Sequence, residues 1–304
     1  MQSTNFLSGL TSELAKRSIG TLFTPAFAFW TGGGTVIWQV WGENISIVTW
    51  FEKLSDVLQV SVLILLSVGI AMSGSLVQRF DRWALRSIEG YWPSFLNPLR
   101  RWLINRKNRV SKQLETRWQT LKIKEDKRAT TPEESAELSK IELRQSQVPT
   151  NPSQRMPTRL GNILKAAELS PQTRYGLNSI LCWPRLWMVL PELARQDISA
   201  ARAELDDAAR AWLWSNLFCF WALLAPFSNP FYKVIWPLPL GLLLATFSYR
   251  WALSATETYA SLFQSAYDLY RFNLYEALRL DIPKSPEEEV TLTEKLNRYL
   301  MRGY

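Results

Sequence analysis

Four uncharged apolar runs punctuate a chain that is otherwise polar and basic, and they set its predicted architecture. Val57 to Val77 alternates Val, Leu and Ile with small residues and contains no ionisable side chain. A helix crossing a hydrocarbon core of about 30 Å needs roughly 20 such residues, so this run predicts a membrane span. Ala211 to Tyr232 and Val234 to Tyr249 form a second apolar pair separated by Lys233, with Pro226, Asn229 and Pro230 supplying turn chemistry. They predict a membrane hairpin, in which the shorter second arm borrows Trp251, Ala252 and Leu253 and Arg250 snorkels to the interface. Ser18 to Gly42 is the fourth run, broken by Pro25 and by Gly32, Gly33 and Gly34, and predicts a span over about 19–41 that is either complete or re-entrant. Ala26-Phe27-Ala28 has the form of a signal cleavage site, but Thr24 and Pro25 interrupt the apolar region before it and the run continues to Trp41, so the segment is read as retained.

The polar stretches between these runs read as helices. Met1 to Arg17 is an amphipathic lead-in with Phe6, Leu7, Leu10 and Leu14 on one face. Arg79 to Val110 mixes aromatic residues with arginines, the composition of helices lying in a headgroup plane. Thr131-Pro132-Glu133-Glu134 is a capping box that starts a helix reaching about Gln145, and Val148 to Pro157 is a linker. Ser170-Pro171 reads as a helix start, Gly176 and Pro184 as interruptions, and Pro191 as a stop. Asp197 to Ala208 leads directly into the third span. Trp251 to Leu280 prolongs the fourth, with Tyr259, Phe263, Ala266, Tyr270, Leu274 and Leu278 on one face, and Ser285-Pro286-Glu287-Glu288 opens a last helix.

The fold class expected is therefore all-α integral membrane, four transmembrane helices with a helical cytoplasmic domain between spans 2 and 3. The divisions are a lead-in and hairpin over 1–77, a basic domain over 78–208, a second hairpin over 209–253 and C-terminal helices over 254–304. Orientation follows from charge. Gln78 to Ala208 carries 23 Lys and Arg against 15 Asp and Glu, whereas the loop from Glu43 to Asp56 has one Lys and three acids. The positive-inside rule places the basic domain and both termini in the cytoplasm, against anionic headgroups. Trp212, Trp214, Tyr232, Trp236, Tyr249 and Trp251 flank the hairpin, where amphipathic rings favour the interface.

Composition narrows the chemistry. There is no histidine, so the commonest general base and metal ligand is missing. No phosphate-binding glycine loop, Cys-x-x-Cys or nucleophile elbow occurs, and no metal, cofactor or nucleic-acid partner is expected. Cys182 and Cys219 fall in different compartments and predict no disulfide. No Asp, Glu, Lys or Arg lies within the four runs, which disfavours an ion-coupled transporter, and Gln59 and Asn216 are read as glue between helices.

Three sets of candidate residues remain. Gly32, Gly33 and Gly34 either let helices cross closely or line a pore with carbonyls. Glu204, Asp206 and Asp207, beside Arg202 and Arg210, either form a solvated helix face or a ring of carboxylates at a pore mouth. Arg100, Arg101, Arg174 and Arg185 are candidates for lipid or phosphate contact, with fastening of the cytoplasmic domain as the alternative. The leading expectation is a non-enzymatic homo-oligomeric channel gated by its cytoplasmic domain. The alternatives are a membrane-anchored scaffold for a cytosolic protein, an interfacial lipid enzyme using Arg174, Arg185 and Glu168, and a soluble helical protein whose apolar runs are core.

Several short motifs add a resemblance. Glu89-Gly90-Tyr91-Trp92-Pro93, Arg159-Leu160-Gly161-Asn162, Arg174-Tyr175-Gly176, Trp183-Pro184-Arg185-Leu186, Asp268-Leu269-Tyr270-Arg271 and Ala277-Leu278-Arg279 resemble a group of uncharacterised bacterial multi-pass membrane proteins. The resemblance covers much of the chain except Ser111 to Met156. It implies a multi-pass helical architecture in a bacterial inner membrane, and no activity.

Overall fold

The computed structural model describes residues 25–42, 47–127 and 130–303. The lead-in helix expected over Met1 to Arg17 and the start of the first predicted span lie outside the described residues. Among those described there is helix and no strand. The helices are α1 (Pro25–Trp41), α2 (Ile47–Glu52), α3 (Asp56–Gln78), α4 (Asp81–Glu89), α5 (Asn97–Asp126), α6 (Pro132–Ser146), α7 (Arg159–Tyr175), α8 (Ser179–Val189), α9 (Glu192–Cys219), α10 (Pro237–Ala277) and α11 (Pro286–Arg302). They belong to two compact units: Met1–Leu85 with Asp206–Trp251, and Arg86–Leu205 with Ala252–Tyr304.

The first unit is apolar. Two stretches among the described residues are long and apolar enough to cross a membrane, Asp56–Val77 and Phe231–Ala277. In the first, none of the apolar window is buried within the chain, and in the second 28% is. Helix α3, at 1.5 Å per residue, is roughly 35 Å long, enough to cross a bilayer core.

Two of the four expected spans, the second and the fourth, are among these two stretches, and the first and third do not meet that length and composition among the described residues. The described α1 has 17 residues, about 25 Å, which falls short of a full crossing. Its glycines do not break it, and Pro25 sits at its start, where a missing N–H costs nothing. The run Ala211 to Tyr232 is not one α-helix: α9 ends at Cys219, and the chain tightens into 3-10 turns over Phe220–Phe227 and Phe231–Lys233. Pro226 and Pro230 lack the N–H groups that an α-helix would need there. By contrast α10 runs 41 residues, about 60 Å, so the apolar arm and its polar continuation are one helix, as the sequence predicts.

Two aromatic N–H groups tie the first unit together. Trp30 Nε1 donates to Ser73 Oγ at 2.9 Å, joining α1 to α3, and Trp236 Nε1 donates to Gln39 Oε1 at 3.1 Å. Gln59 bridges α3 to α2 as expected, whereas Asn216 does not bridge helices. Gln59 donates to the carbonyls of Phe51 and Leu54, and Asn216 to that of Trp212 one turn earlier. An amide within reach of a local carbonyl satisfies itself there without waiting for a neighbouring helix.

The second unit has a closed core. Leu177, Cys182, Leu186, Tyr267, Leu274 and Tyr275 are at most 1% exposed, with Ile163, Ile198 and Leu296 packed beside them. The aromatic face predicted on α10 supplies Phe263, Tyr267 and Tyr275, and Trp183 of α8 lies 4.5 Å from the Phe263 ring. Pro171 and Pro184, read as a helix start and an interruption, lie inside α7 and α8. The real start signal for α7 is Thr158, whose hydroxyl accepts from Gly161 N, and for α8 it is Asn178. Packing against the core outweighs the backbone bond that each proline removes.

A hairpin of α5 and α6 projects its own small core, Leu121, Leu138 and Ile141 with Trp118. The capping box at Thr131 forms as predicted. Arg117 pairs with Glu137 and Lys124 with Glu134, fixing an antiparallel register. The segment Arg79 to Val110 resolves into α4, a 3-10 turn at Ser94–Leu96 and the first half of the 30-residue α5.

Candidate binding sites

Each predicted site residue can now be placed. In α1, a Cβ at Gly32 would overlap the Phe218 ring and one at Gly33 the Trp221 ring, while Gly34 has open space. Two of the three glycines are therefore seats for aromatic rings, and their carbonyls lie within an unbroken helix. This is close packing between small and large residues.

The acids of α9 are drawn into ion pairs. Arg210 Nη2 contacts Asp207 at 2.9 Å, and Arg210 Nε contacts Asp81 at 2.9 Å. Burial raises the Asp81 pKa against the attraction of Arg210, and the charges of Asp206 and Asp207 add to the rise. Glu204 also lies on α9, three residues before Asp207.

The arginine candidates serve different partners. Arg174 reaches Asp268 at 3.2 Å, where the Tyr175 hydroxyl also donates at 2.7 Å. Arg185 donates to the Leu181 carbonyl of its own helix. Arg100 and Arg101 lie in the first turn and a half of α5. Glu168, the acid proposed to work with Arg174 and Arg185, is paired with Lys165 at 2.9 Å instead. The catalytic grouping expected of a lipid enzyme is thus not assembled by these three residues.

The resembling motifs have a common physical role within the second unit. Gly176 adopts φ +72° as the cap of α7, its carbonyl accepts from Asn297 Nδ2 and the Tyr175 carbonyl accepts from Thr293 Oγ1, so Arg174-Tyr175-Gly176 docks α11. Gly90, at φ +104°, lies against Pro157, and Thr158 Oγ1 donates to the Glu89 carbonyl. Asn162 is buried and bridges Met156 N and O. Arg271 of α10 pairs with Glu289 of α11 at 2.9 Å, and the Tyr275 hydroxyl donates to the same carboxylate at 2.9 Å. Arg271 also stacks on the rings of Tyr175 and Phe272, each 4.2 Å from its guanidinium carbon. These contacts fasten α7, α10 and α11 to one another within the second unit.

Two larger cavities remain after this bonding is accounted for. In the first unit an apolar cleft of about 690 Å³ lies between α1, α9 and α10, lined by Phe29, Gly32, Trp214, Phe218, Trp236 and Leu240. No charged side chain lines it. Thr31, Thr35, Ser215 and Ser248 place hydroxyls in its otherwise apolar wall.

In the second unit a cavity of about 400 Å³ is enclosed by α5, α6, the segment 147–156 and α7. Five cationic side chains line it, Arg106, Lys107, Arg144, Arg155 and Arg159, and no carboxylate does. The sequence reading assigned Arg106 and Lys107 only to a headgroup-facing helix and gave the other three no role. The usable signal was local: from Arg100 to Lys112 the chain has six basic residues and no acid. The other three cations come from α6, the following segment and α7, so only the folded chain shows the set. No protein-family model, curated protein or solved structure matches the chain, so these sites stand on their own geometry.

Proposed function

We propose that the protein is a membrane-anchored binding protein: its apolar unit holds it in a bilayer and its polar helical unit binds a ligand or partner on the basic, cytoplasmic side. The observation that carries this reading is the contrast between α3, whose apolar window buries nothing within the chain, and the second unit, which closes a core and retains a cation-lined cavity. An apolar helix of that length left facing outward belongs in hydrocarbon. The positive-inside rule supports the side, and the resemblance to bacterial multi-pass proteins supports an inner membrane.

The test is fractionation of cells expressing the full chain, an alkaline carbonate wash, and protease treatment of inverted and right-side-out vesicles. The reading expects the chain to stay in the washed membrane and the α5–α6 hairpin to be cut only in inverted vesicles. Release by carbonate, or cleavage from the outer side, defeats it.

A homo-oligomeric channel is the second reading, favoured by the same unburied α3, which a second copy would cover. The packing of Gly32 and Gly33 against rings and the pairing of Asp207 with Arg210 give it no lining. A discrete oligomer with reproducible conductance in a planar bilayer would restore it, and a silent bilayer would remove it.

A further inference from the structure

The cavity between α5, α6 and α7 has a polarity that specifies its ligand. Leu103, Val110, Leu114 and Val148 form one part of its wall, and the five cations form another. Among the described residues the only carboxylate at ion-pair distance from those cations is Glu257, which holds Arg159 at 2.9 Å. The Gln147 side chain bonds to the same carboxylate and to Arg159. Arg155 is held by neutral acceptors: its Nη1 donates to Asn108 Oδ1 at 2.8 Å and its Nε to the Pro149 carbonyl at 3.2 Å. These bonds orient the guanidinium and leave its charge uncompensated. Arg106 lies 5.8 Å from the centre of the Trp102 ring, which also leaves the charge in place.

Lys107 registers the resulting field. Burial, together with the repulsion of Arg159, pushes its pKa down to about 8. Concentrating like charges beside an apolar wall disfavours them all unless an anion joins them. A carboxylate would neutralise one charge. A phosphate monoester carries up to two charges and three non-bridging acceptor oxygens, which suit guanidinium forks from several directions.

We infer that this cavity is a binding site for a phosphate ester with an apolar portion, the phosphate held by Lys107, Arg144 and Arg155 and the apolar part against Leu103, Val110 and Leu114. The inference rests on the reading of the polar unit as a binding module and names the ligand class of that same cavity. The ester has two chemical sources, the monoester headgroup of phosphatidic acid or a soluble phosphate monoester, and the site's chemistry is common to both.

The experiment is calorimetric titration of the full chain in a maltoside detergent with inorganic phosphate and with glycerol 3-phosphate, beside flotation with vesicles of phosphatidylcholine alone or mixed with phosphatidic acid. Acetate is the control anion. Saturable binding of a phosphate probe with none of acetate is expected. Binding of glycerol 3-phosphate assigns a soluble ester, and dependence on phosphatidic acid with no uptake of the soluble probes assigns a headgroup.

The variant K107M keeps the side-chain length, and R144Q lies on the exposed rim of the cavity; each should weaken binding about tenfold or more, the loss of one charge-assisted hydrogen bond. R144Q answers the question if K107M fails to fold. Absence of binding to every phosphate probe, or binding that both variants leave unchanged, overturns the inference. Retention of the chain in carbonate-washed membranes would still hold in that case, so failure of the ligand assignment and failure of the anchoring are separately visible.

Discussion

The two units solve the same problem, packing helices rich in tryptophan and arginine-flanked apolar residues, in opposite ways. The second unit closes on itself: Tyr267 and Tyr275 are fully buried, each with its hydroxyl bonded, and a buried ion pair joins α10 to α11. The first unit keeps its large side chains outward. Val57, Leu65 and Leu66 of α3 and Phe220 and Phe227 of the 3-10 segment are more than half exposed. Its elements meet through the glycines of α1, a small apolar cluster at Val36, Ala225 and Val234, the rings of Phe29, Trp214 and Trp221, and two indole N–H bonds. That is the division expected when one part of a chain has water as its solvent and the other has lipid, where apolar burial no longer drives association.

The largest effect should come from breaking the closed unit at its buried ion pair. Arg271→Ala leaves Glu289 buried without its cation, and the loss is expected to be about 3–5 kcal/mol in a denaturant or thermal unfolding series. A loss below a tenth of that would mean that α11 is not held as described.

Next in size is the glycine pair of α1. Gly33→Val forces a side chain into the Trp221 ring and should cost about 1–3 kcal/mol of the first unit's stability. Gly34→Ala meets nothing and should be neutral or slightly stabilising, since alanine favours a helix over glycine by up to about 1 kcal/mol. Thermal unfolding in detergent separates the two. If both substitutions instead altered conductance with stability unchanged, the packing role would be replaced by a pore role.

Gly176→Ala tests the docking of α11. At φ +72°, with Thr293 Oγ1 2.5 Å from the added Cβ, it should cost about 1–2 kcal/mol from backbone conformation alone and expose α11 to protease. A further effect is electrostatic. The folded-state pKa of Lys107, about 8, lies below its ordinary 10.5, so the unfolded chain holds the proton more tightly between those values. Stability should therefore rise with pH from about 8 to 10.5, a rise that K107M should flatten in unfolding curves across that window.

What the sequence disclosed was set by local signals. The capping box at Thr131, the apolar run of α3 and the unbroken continuation of α10 past Trp251 all follow from spacing and composition. Proline was misleading in both directions. Pro171 and Pro184 read as boundaries, yet core contacts carry α7 and α8 through them. Pro226 and Pro230 read only as a turn, yet the helix gives way to 3-10 geometry from Phe220. The polar α5 went unread as one 30-residue helix because its apolar residues do not keep a single face. The cationic cavity was hidden for a different reason: Lys107, Arg144, Arg155 and Arg159 come from four segments, and no spacing rule joins them. The glycine and acidic candidates were found as residues, but which of their two roles applied depended on Phe218, Trp221 and Asp81, all distant in sequence.

The most direct test of the account is photocrosslinking of the full chain, reconstituted in nanodiscs, to a phospholipid carrying a diazirine in its acyl tail, with the adducts mapped by mass spectrometry. The account predicts adducts on α3 and on the apolar start of α10, and none on the α5–α6 hairpin. Adducts absent from Asp56–Val77, or concentrated on the hairpin, would contradict the assignment of an apolar anchor and a polar binding unit.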